Sequence, residues 1–216
     1  MIFKHKKINT MKNTILTSSL LLFFTLGINA QNNKLLKAFE QSYSHEKNME
    51  FTKAAHDLEV IYPTNMANYE LNLRLGWLTY LSGNFKESEK FYSKAITLKP
   101  FAIEAIYGNI LPLLGQKKYT DVIQLANKAL TIAPNDSKAE YFIGLANYYK
   151  KDYLKAEKYL EKAINKYPFD LDINLMLGWT KFALGKKNEA KLLFQIAQRN
   201  APNSIGVKTA LEIISK

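Results

Sequence analysis

Histidine, cysteine and converging carboxylates are the side chains that most often do chemistry, and this chain of 216 residues has few of them in usable arrangements. Its histidines are His5, His45 and His56, with none from residue 57 onward, and it has no cysteine. A metal site needs ligands that converge, and acid–base catalysis needs a group within hydrogen-bond reach of the proton it moves. Three histidines near the start, with Asp and Glu spread along polar helix faces, meet neither requirement, and no glycine-rich phosphate loop is present. The residue types therefore point away from an enzyme, with no catalytic residue, no cofactor and no metal expected. What remains is aromatic. The only two tryptophans, Trp77 and Trp179, each directly follow a Leu-Gly pair, Leu75-Gly76 and Leu177-Gly178. An aromatic side chain carries about 150–250 Å² of surface, so a few half-exposed ones would form a binding patch.

The elements that hold these residues repeat. Pro100, Pro134, Pro168 and Pro202 are spaced 34 residues apart, and Ala95, Ala129, Ala163 and Ala197 each precede one of them by five. Leu75-Gly76, Ile143-Gly144 and Leu177-Gly178 fill one shared slot, held by Asn109-Ile110 in the remaining unit, and Ser88, Val122, Ala156 and Ala190 fill another. A fixed period decides architecture before any single helix is assigned. Two helices of about a dozen residues joined by a turn such as Ser82-Gly83-Asn84 cannot bury both faces alone, so they stack on the next pair. The glycines mark where the helices of a unit touch, the alanines face the next unit, and each proline ends a second helix.

With Tyr80, Phe85, Tyr92, Tyr148, Tyr153, Leu160, Phe182 and Phe194 at the matching offsets, the pattern resembles the tetratricopeptide repeat, Trp-x2-Leu-Gly-x2-Tyr, then Ala-x3-Phe, then Pro. The resemblance implies an all-α fold, a right-handed superhelical solenoid of antiparallel helix pairs. Its expected organisation is a degenerate helical hairpin over 31–68, repeats over 69–102, 103–136, 137–170 and 171–204, and a capping helix over 205–216. It also implies that the first helix of each unit lines a concave groove that binds protein. Helical periodicity then places Leu73, Arg74, Trp77 and Leu81 of the first repeat toward the groove, followed by Tyr107 and Leu111, then Lys138, Tyr141, Leu145 and Tyr149, then Leu175 and Trp179. Tyr80, Tyr148 and Phe182 are expected in the internal packing instead. Trp77, Leu111 and Leu145 occupy a slot that commonly holds Asn in this family. The basic and Asn set that grips chaperone carboxylates is missing, which favours an apolar or aromatic peptide, or a helix, as partner.

Pro112 lies inside the expected first helix of the second repeat, where an interior proline costs roughly 3 kcal/mol. A kink or early break is expected there, which would either widen the groove or simply shorten the helix.

Residues 1–30 read as a secretory signal: four lysines, an apolar run from Ile15 to Gly27, and Ile28-Asn29-Ala30, with cleavage expected after Ala30 and with either Met1 or Met11 as the start. The run is short of the roughly 20 apolar residues of a membrane span, so a periplasmic or secreted chain without an integral span after cleavage is expected. Removing the four lysines lowers the net charge of +11 to +7. The other lysines lie among Glu and Asp, the pattern of a solvated helical surface. Export argues against nucleic acid. The alternative to a protein-holding scaffold is a basic surface that binds anionic polysaccharide or lipid headgroups.

Overall fold

The computed structural model describes residues 33–215, so the expected signal segment lies outside the described residues. Two compact units divide the chain after Met66. The first holds α1 (residues 33–47), α2 (Phe51–Glu59) and a short 3-10 turn, Tyr62–Thr64, that carries Pro63. Ala38 and Ser42 of α1 and Ala54, Ala55 and Leu58 of α2 are buried. His45 Nδ1 lies 2.7 Å from Asp57 Oδ2, joining the two helices.

The second unit, from Ala67, is built of α3 (Tyr69–Leu81), α4 (Phe85–Leu98), α5 (Ile103–Gly115), α6 (Tyr119–Ile132), α7 (Ser137–Tyr149), α8 (Tyr153–Lys166), α9 (Leu171–Ala183), α10 (Lys187–Asn200) and α11 (Ile205–Ile214). Each helix packs on the next in sequence, and α3 also touches α5, α7 touches α9, and α9 touches α11. The odd-numbered helices therefore share one side of the stack.

The corner between units has a local cause. Pro disfavours the α conformation in the residue before it. Lys99, Ala133, Tyr167 and Ala201 all leave it, with φ between −142° and −125° and ψ between 71° and 90°, so each even helix stops two residues before its proline. Within a unit the chain reverses through a left-handed residue at one slot: Gly83 and Gly185 where no Cβ opposes it, Lys117 and Lys151 where one does. The residue that opens each even helix alternates in role. Asn84 and Asp152 cap it by accepting from Glu87 N and Lys155 N. Lys118 and Lys186 make no cap and instead reach back 2.7 Å to Glu89 and Glu157 of the preceding even helix.

The close approach of helices is governed by one side chain per unit. Tyr92 of α4 is wedged between Gly76 and Gly108, where an added Cβ would sit 2.8 Å and 2.2 Å from its ring. The corresponding residues, each 34 further on, are Ala126, Leu160 and Phe194. Phe194 faces Gly178 and packs with Ala210; Leu160 faces Gly144 and packs with Met176. Ala126 reverses the arrangement, lying in a cluster with Ile110 and Phe142 at the two neighbouring slots. A small wedge thus accompanies large inner residues, and a large wedge small ones. In α11 the slot of Gly76, Gly144 and Gly178 is filled by exposed Glu212, a polar face suited to a cap.

Pro112 does not make the expected early break. The helix runs through it to Gly115 and is 13 residues long, like α3, α7 and α9. The carbonyl that an interior proline crowds belongs to the residue four before it, here Gly108, which has no side chain to add to the crowding.

One buried cation joins three helices. Lys181 Nζ of α9 lies 2.6 Å from Glu157 and 2.7 Å from Glu161 of α8, and 2.8 Å from Glu189 of α10. Burial by itself would raise the Glu157 carboxyl, but Lys181 and Lys186 outweigh it and hold it below its ordinary value of 4.5. Burial would likewise lower the Lys181 ammonium, yet the three carboxylates hold it above its ordinary 10.5. The depressed acid stabilises the fold above pH 4.5 and loses that effect as pH falls through its folded pKa. The elevated lysine stabilises below pH 10.5 and loses it as pH rises through its own.

Ala126→Leu is expected to destabilise the array by about 1–3 kcal/mol through overpacking. Adding Ile110→Gly should cost less than it does alone, leaving a coupling of about 1 kcal/mol in a urea-denaturation double-mutant cycle. Lys181→Met is expected to cost about 1–3 kcal/mol at pH 7, because Glu161 and Glu189 lose their shared cation and buried Glu157 keeps only Lys186. Urea titrations at pH 7 and pH 4 check this, and the difference from wild type should narrow at the lower pH.

Candidate functional site

Each odd helix is buried on two sides by its neighbours, so its remaining side is the place where a ligand could meet side chains not committed to the core. Asn68, Asp136 and Asp170 start α3, α7 and α9 by accepting from Leu71 N, from Lys138 N and Ala139 N, and from Ile173 N. Ala102 starts α5 without such a cap. The register of each helix is therefore set from its first turn.

Trp77 is 36% exposed and stacks on Tyr80 at 6.0 Å between ring centroids. Leu73, Arg74 and Leu81 on the same helix are half-buried. Tyr149 is 50% exposed and stacks on Tyr119 at 5.2 Å. Leu111, Tyr141 and Leu175 are half-buried. Trp179 is half-buried as well, but its ring meets Phe194 at 5.0 Å and Phe182 at 6.0 Å, so much of it belongs to the packing around the wedge residue of the last repeat.

Two residues expected in the groove are core. Leu145 is 8% exposed and Tyr107 is 9% exposed, both within the cluster that joins α5, α6 and α7. Leu145 packs in that cluster with Ile110 and Phe142. Tyr107 lies 5.9 Å from Phe142 and is roofed by Lys138, whose ammonium sits 4.7 Å above the ring. Lys138 itself is exposed, and Tyr80 and Tyr148 meet Phe85 and Tyr153 across the turn of their own repeats.

A pocket of about 420 Å³ opens at the N-terminal ends of α7 and α9, walled by Tyr141, Phe142 and Tyr167 and edged by Lys138, Asp170 and Asp172. Burial and then the neighbouring Asp172 push the Tyr141 phenol above its ordinary range, so it stays a neutral hydroxyl. Burial and then Asp170 raise the Asp172 carboxyl. Nothing in the sequence marked Asp170 and Asp172 as more than helix-start residues. Lys181 was missed too, although its slot is otherwise filled by Thr79, Leu113 and Asn147, so that a lone lysine there was visible by alignment of the repeats.

Among the described residues, no group of three or more His, Asp or Glu could hold a metal ion, and no helix is long and apolar enough to cross a membrane.

The tetratricopeptide-repeat family models match residues 69–101, 139–170 and 172–204. Residues 69–101, 139–170 and 172–204 are tetratricopeptide repeats. Residues 103–136 fall outside the matched segments, and that is the unit in which Ile110 replaces the glycine and Ala126 the large wedge. Tetratricopeptide repeat protein 9C of Xenopus tropicalis is 31% identical over 93 residues, 41% of this chain, which spans about half (52%) of that relative. Among solved structures, a tetratricopeptide repeat protein from Parabacteroides merdae superposes with a TM-score of 0.73 at 17% identity, over 84% of this chain and 72% of its own. MamA from Desulfovibrio magneticus RS-1 gives 0.70 at 19% identity, over 80% and 97%. YrrB, described as having an unusual peptide-binding site, gives 0.66 at 14% identity, over 88% and 97%. At such identities the likeness establishes the fold, a solenoid of helix pairs.

The two tryptophans are expected to separate in solution. Acrylamide should quench Trp77 more strongly than Trp179 when each is left as the sole tryptophan by Trp→Phe substitution. Trp179→Ala should cost about 3 kcal/mol in urea denaturation, and Trp77→Ala clearly less.

Proposed function

We propose that this protein is a non-catalytic scaffold of the bacterial cell envelope that holds a peptide or helix of another protein against its odd-numbered helices. The observation that carries the reading is the row of side chains left partly uncovered on that side: Leu73, Trp77 and Leu81 on α3, Leu111 on α5, Tyr149 on α7 and Leu175 on α9. They are apolar or aromatic and lie on successive helices, Leu111 and Leu175 resting against the core with one side and leaving the other open. Such a surface suits an apolar helix face or an extended segment with apolar anchors. The description of YrrB as a peptide-binding repeat protein supports the same use of this fold. The envelope location rests on the N-terminal lysines and apolar run alone.

The lysines support a groove more than a charged surface as the site of binding. Lys53, Lys90, Lys118, Lys155, Lys166 and Lys186 each have a carboxylate within 3.1 Å, so these six do not present an unneutralised charge to an anionic surface.

Capture from an envelope fraction with the wild-type chain and with Trp77→Ala plus Tyr149→Ala tests the proposal. The wild type should retain a partner in about 0.5 M salt, where contacts between exposed charges are largely screened. The variant should bind that partner at least about tenfold more weakly with unchanged circular dichroism. Equal recovery by a folded variant would rule out the groove, and a chain found only in the cytosolic fraction would rule out the location.

A further inference from the structure

The basic excess is not shared evenly between the two layers of the second unit. The helices α3, α5, α7 and α9 carry three Lys or Arg against four Asp or Glu, whereas α4, α6, α8 and α10 carry eleven against six. Ion pairing does not cancel the difference. Each glutamate of these even helices is already engaged by a lysine: Glu87 by Lys90, Glu89 by Lys118, and Glu157, Glu161 and Glu189 by Lys181. The sixth carboxylate, Asp121, lies in the first turn of α6.

The lysines left over fall in register. Opposite the buried slots of Ser88, Tyr92 and Ala95, each even helix presents the slots of Lys86, Lys90 and Lys94. Over four helices these twelve positions hold six lysines and no carboxylate. Lys94, Lys128 and Lys162 fill one slot in three successive repeats, with Lys86 and Lys158 beside them, and none of the five has an ion pair among the described residues. Lys128 is half-buried and the other four are exposed. Within α4 and within α8 the lysines follow one another at four residues, the spacing at which like charges destabilise a helix. Folding therefore does not account for them.

The same twelve positions include Leu154 and Leu192, exposed by 70% and 61%. An anionic bilayer suits both kinds of side chain: lysines near its surface are attracted to charged headgroups, and aliphatic side chains enter the headgroup boundary. A hydrated polysaccharide would take the charges and leave the leucines in water. Arginine, whose planar fork grips a single phosphate or carboxylate, is absent from the twelve, and lysine is a point charge suited to a diffuse anionic surface.

We propose that the outer face of α4, α6 and α8, with Leu192 of α10, rests on an anionic lipid surface. The groove belongs to the other layer and stays open to a protein partner, so the two contacts are made by different residues.

The chain from Gln31 is the form to test, since it keeps every described residue and lacks the upstream apolar run, which would bind bilayers by itself. It should float with phosphatidylcholine vesicles containing about 30% phosphatidylglycerol, not with phosphatidylcholine alone, and about 0.5 M salt should release it. Lys94→Gln with Lys128→Gln and Lys162→Gln should weaken binding at least about tenfold. Lys138→Gln with Lys150→Gln and Lys208→Gln removes the same charge elsewhere and should weaken it far less. Leu154→Ser with Leu192→Ser keeps every charge and should also weaken flotation. Equal effects of the two triple variants at unchanged circular dichroism would reduce the attraction to net charge and overturn the proposal, as would absence of flotation or indifference to the leucines. Retention on alginate that depends on Lys94, Lys128 and Lys162, without vesicle binding, would assign the face to polysaccharide instead. The Lys94, Lys128 and Lys162 variant should capture a groove partner as well as wild type, and the Trp77 and Tyr149 variant should float as well as wild type, so the two surfaces fail separately.

Discussion

The array depends on a volume constraint shared by three helices at a time. One residue of each even helix, at 92, 126, 160 or 194, projects between two odd helices, and the sum of the three side chains has to fill one gap. Tyr92 fills it alone, with glycines on both sides, and Phe194 nearly so; at Ala126 the filling comes from Ile110 and Phe142. Interiors packed like organic crystals tolerate neither a void nor an extra methylene cheaply, so the exchange has to be made as a set. Its consequence reaches the ligand side. Where the odd helices carry glycine they approach closely, as α3 does α5 and α9 does α11; where they carry Ile110 and Phe142, α5 and α7 do not come as near. The spacing of the binding helices is thus set by side chains on the opposite side of the layer.

This coupling separates what was legible in the sequence from what was not. The 34-residue period and its helix ends depend on covalent rules that act locally: proline forbids its predecessor the α conformation, and a left-handed residue turns the chain. Those rules can be read one residue at a time. Pro112 was misread because its cost depends on Gly108, a turn earlier, and on how that turn packs with Tyr92. Leu145 was misread because sharing a slot with Trp77 says where a side chain starts and not what lies beneath it. The deepest omission was Lys181, hidden in a sequence whose lysines mostly face solvent. Only the arrangement of α8, α9 and α10 shows that three glutamates meet it.

The charges also show two ways of joining repeats. At the start of the even helices, Asn84 and Asp152 satisfy backbone donors within their own helix, while Lys118 and Lys186 leave that first turn without a side-chain cap and bind the preceding even helix. A cap contributes about 1 kcal/mol to its own helix, and an exposed ion pair contributes about 0–1 kcal/mol. Energy therefore does not favour the exchange. Its distinct effect is geometric: a tether from α6 to α4 and from α10 to α8 ties successive units at the side away from the odd helices. Lys181 adds a buried tether beside the second of these.

The same reasoning explains why the uncovered side is uneven. One slot, repeated four times, holds Trp77, Leu111, Leu145 and Trp179, and their exposure does not follow their size. Trp179 is the largest possible side chain yet is half-covered, because Phe194 is the wedge beneath it and offers a ring to lie against. Trp77 has Tyr80 to stack on and remains 36% exposed. Leu145 lies where α5 and α7 are held apart by bulky residues, and it fills that seam. Exposure at this slot is decided by what lies under the side chain in its own repeat. A ligand would therefore meet aromatic surface at α3 and on Tyr149 at the end of α7, with aliphatic surface between, and at the starts of α7 and α9 it would meet Lys138, Asp170 and Asp172.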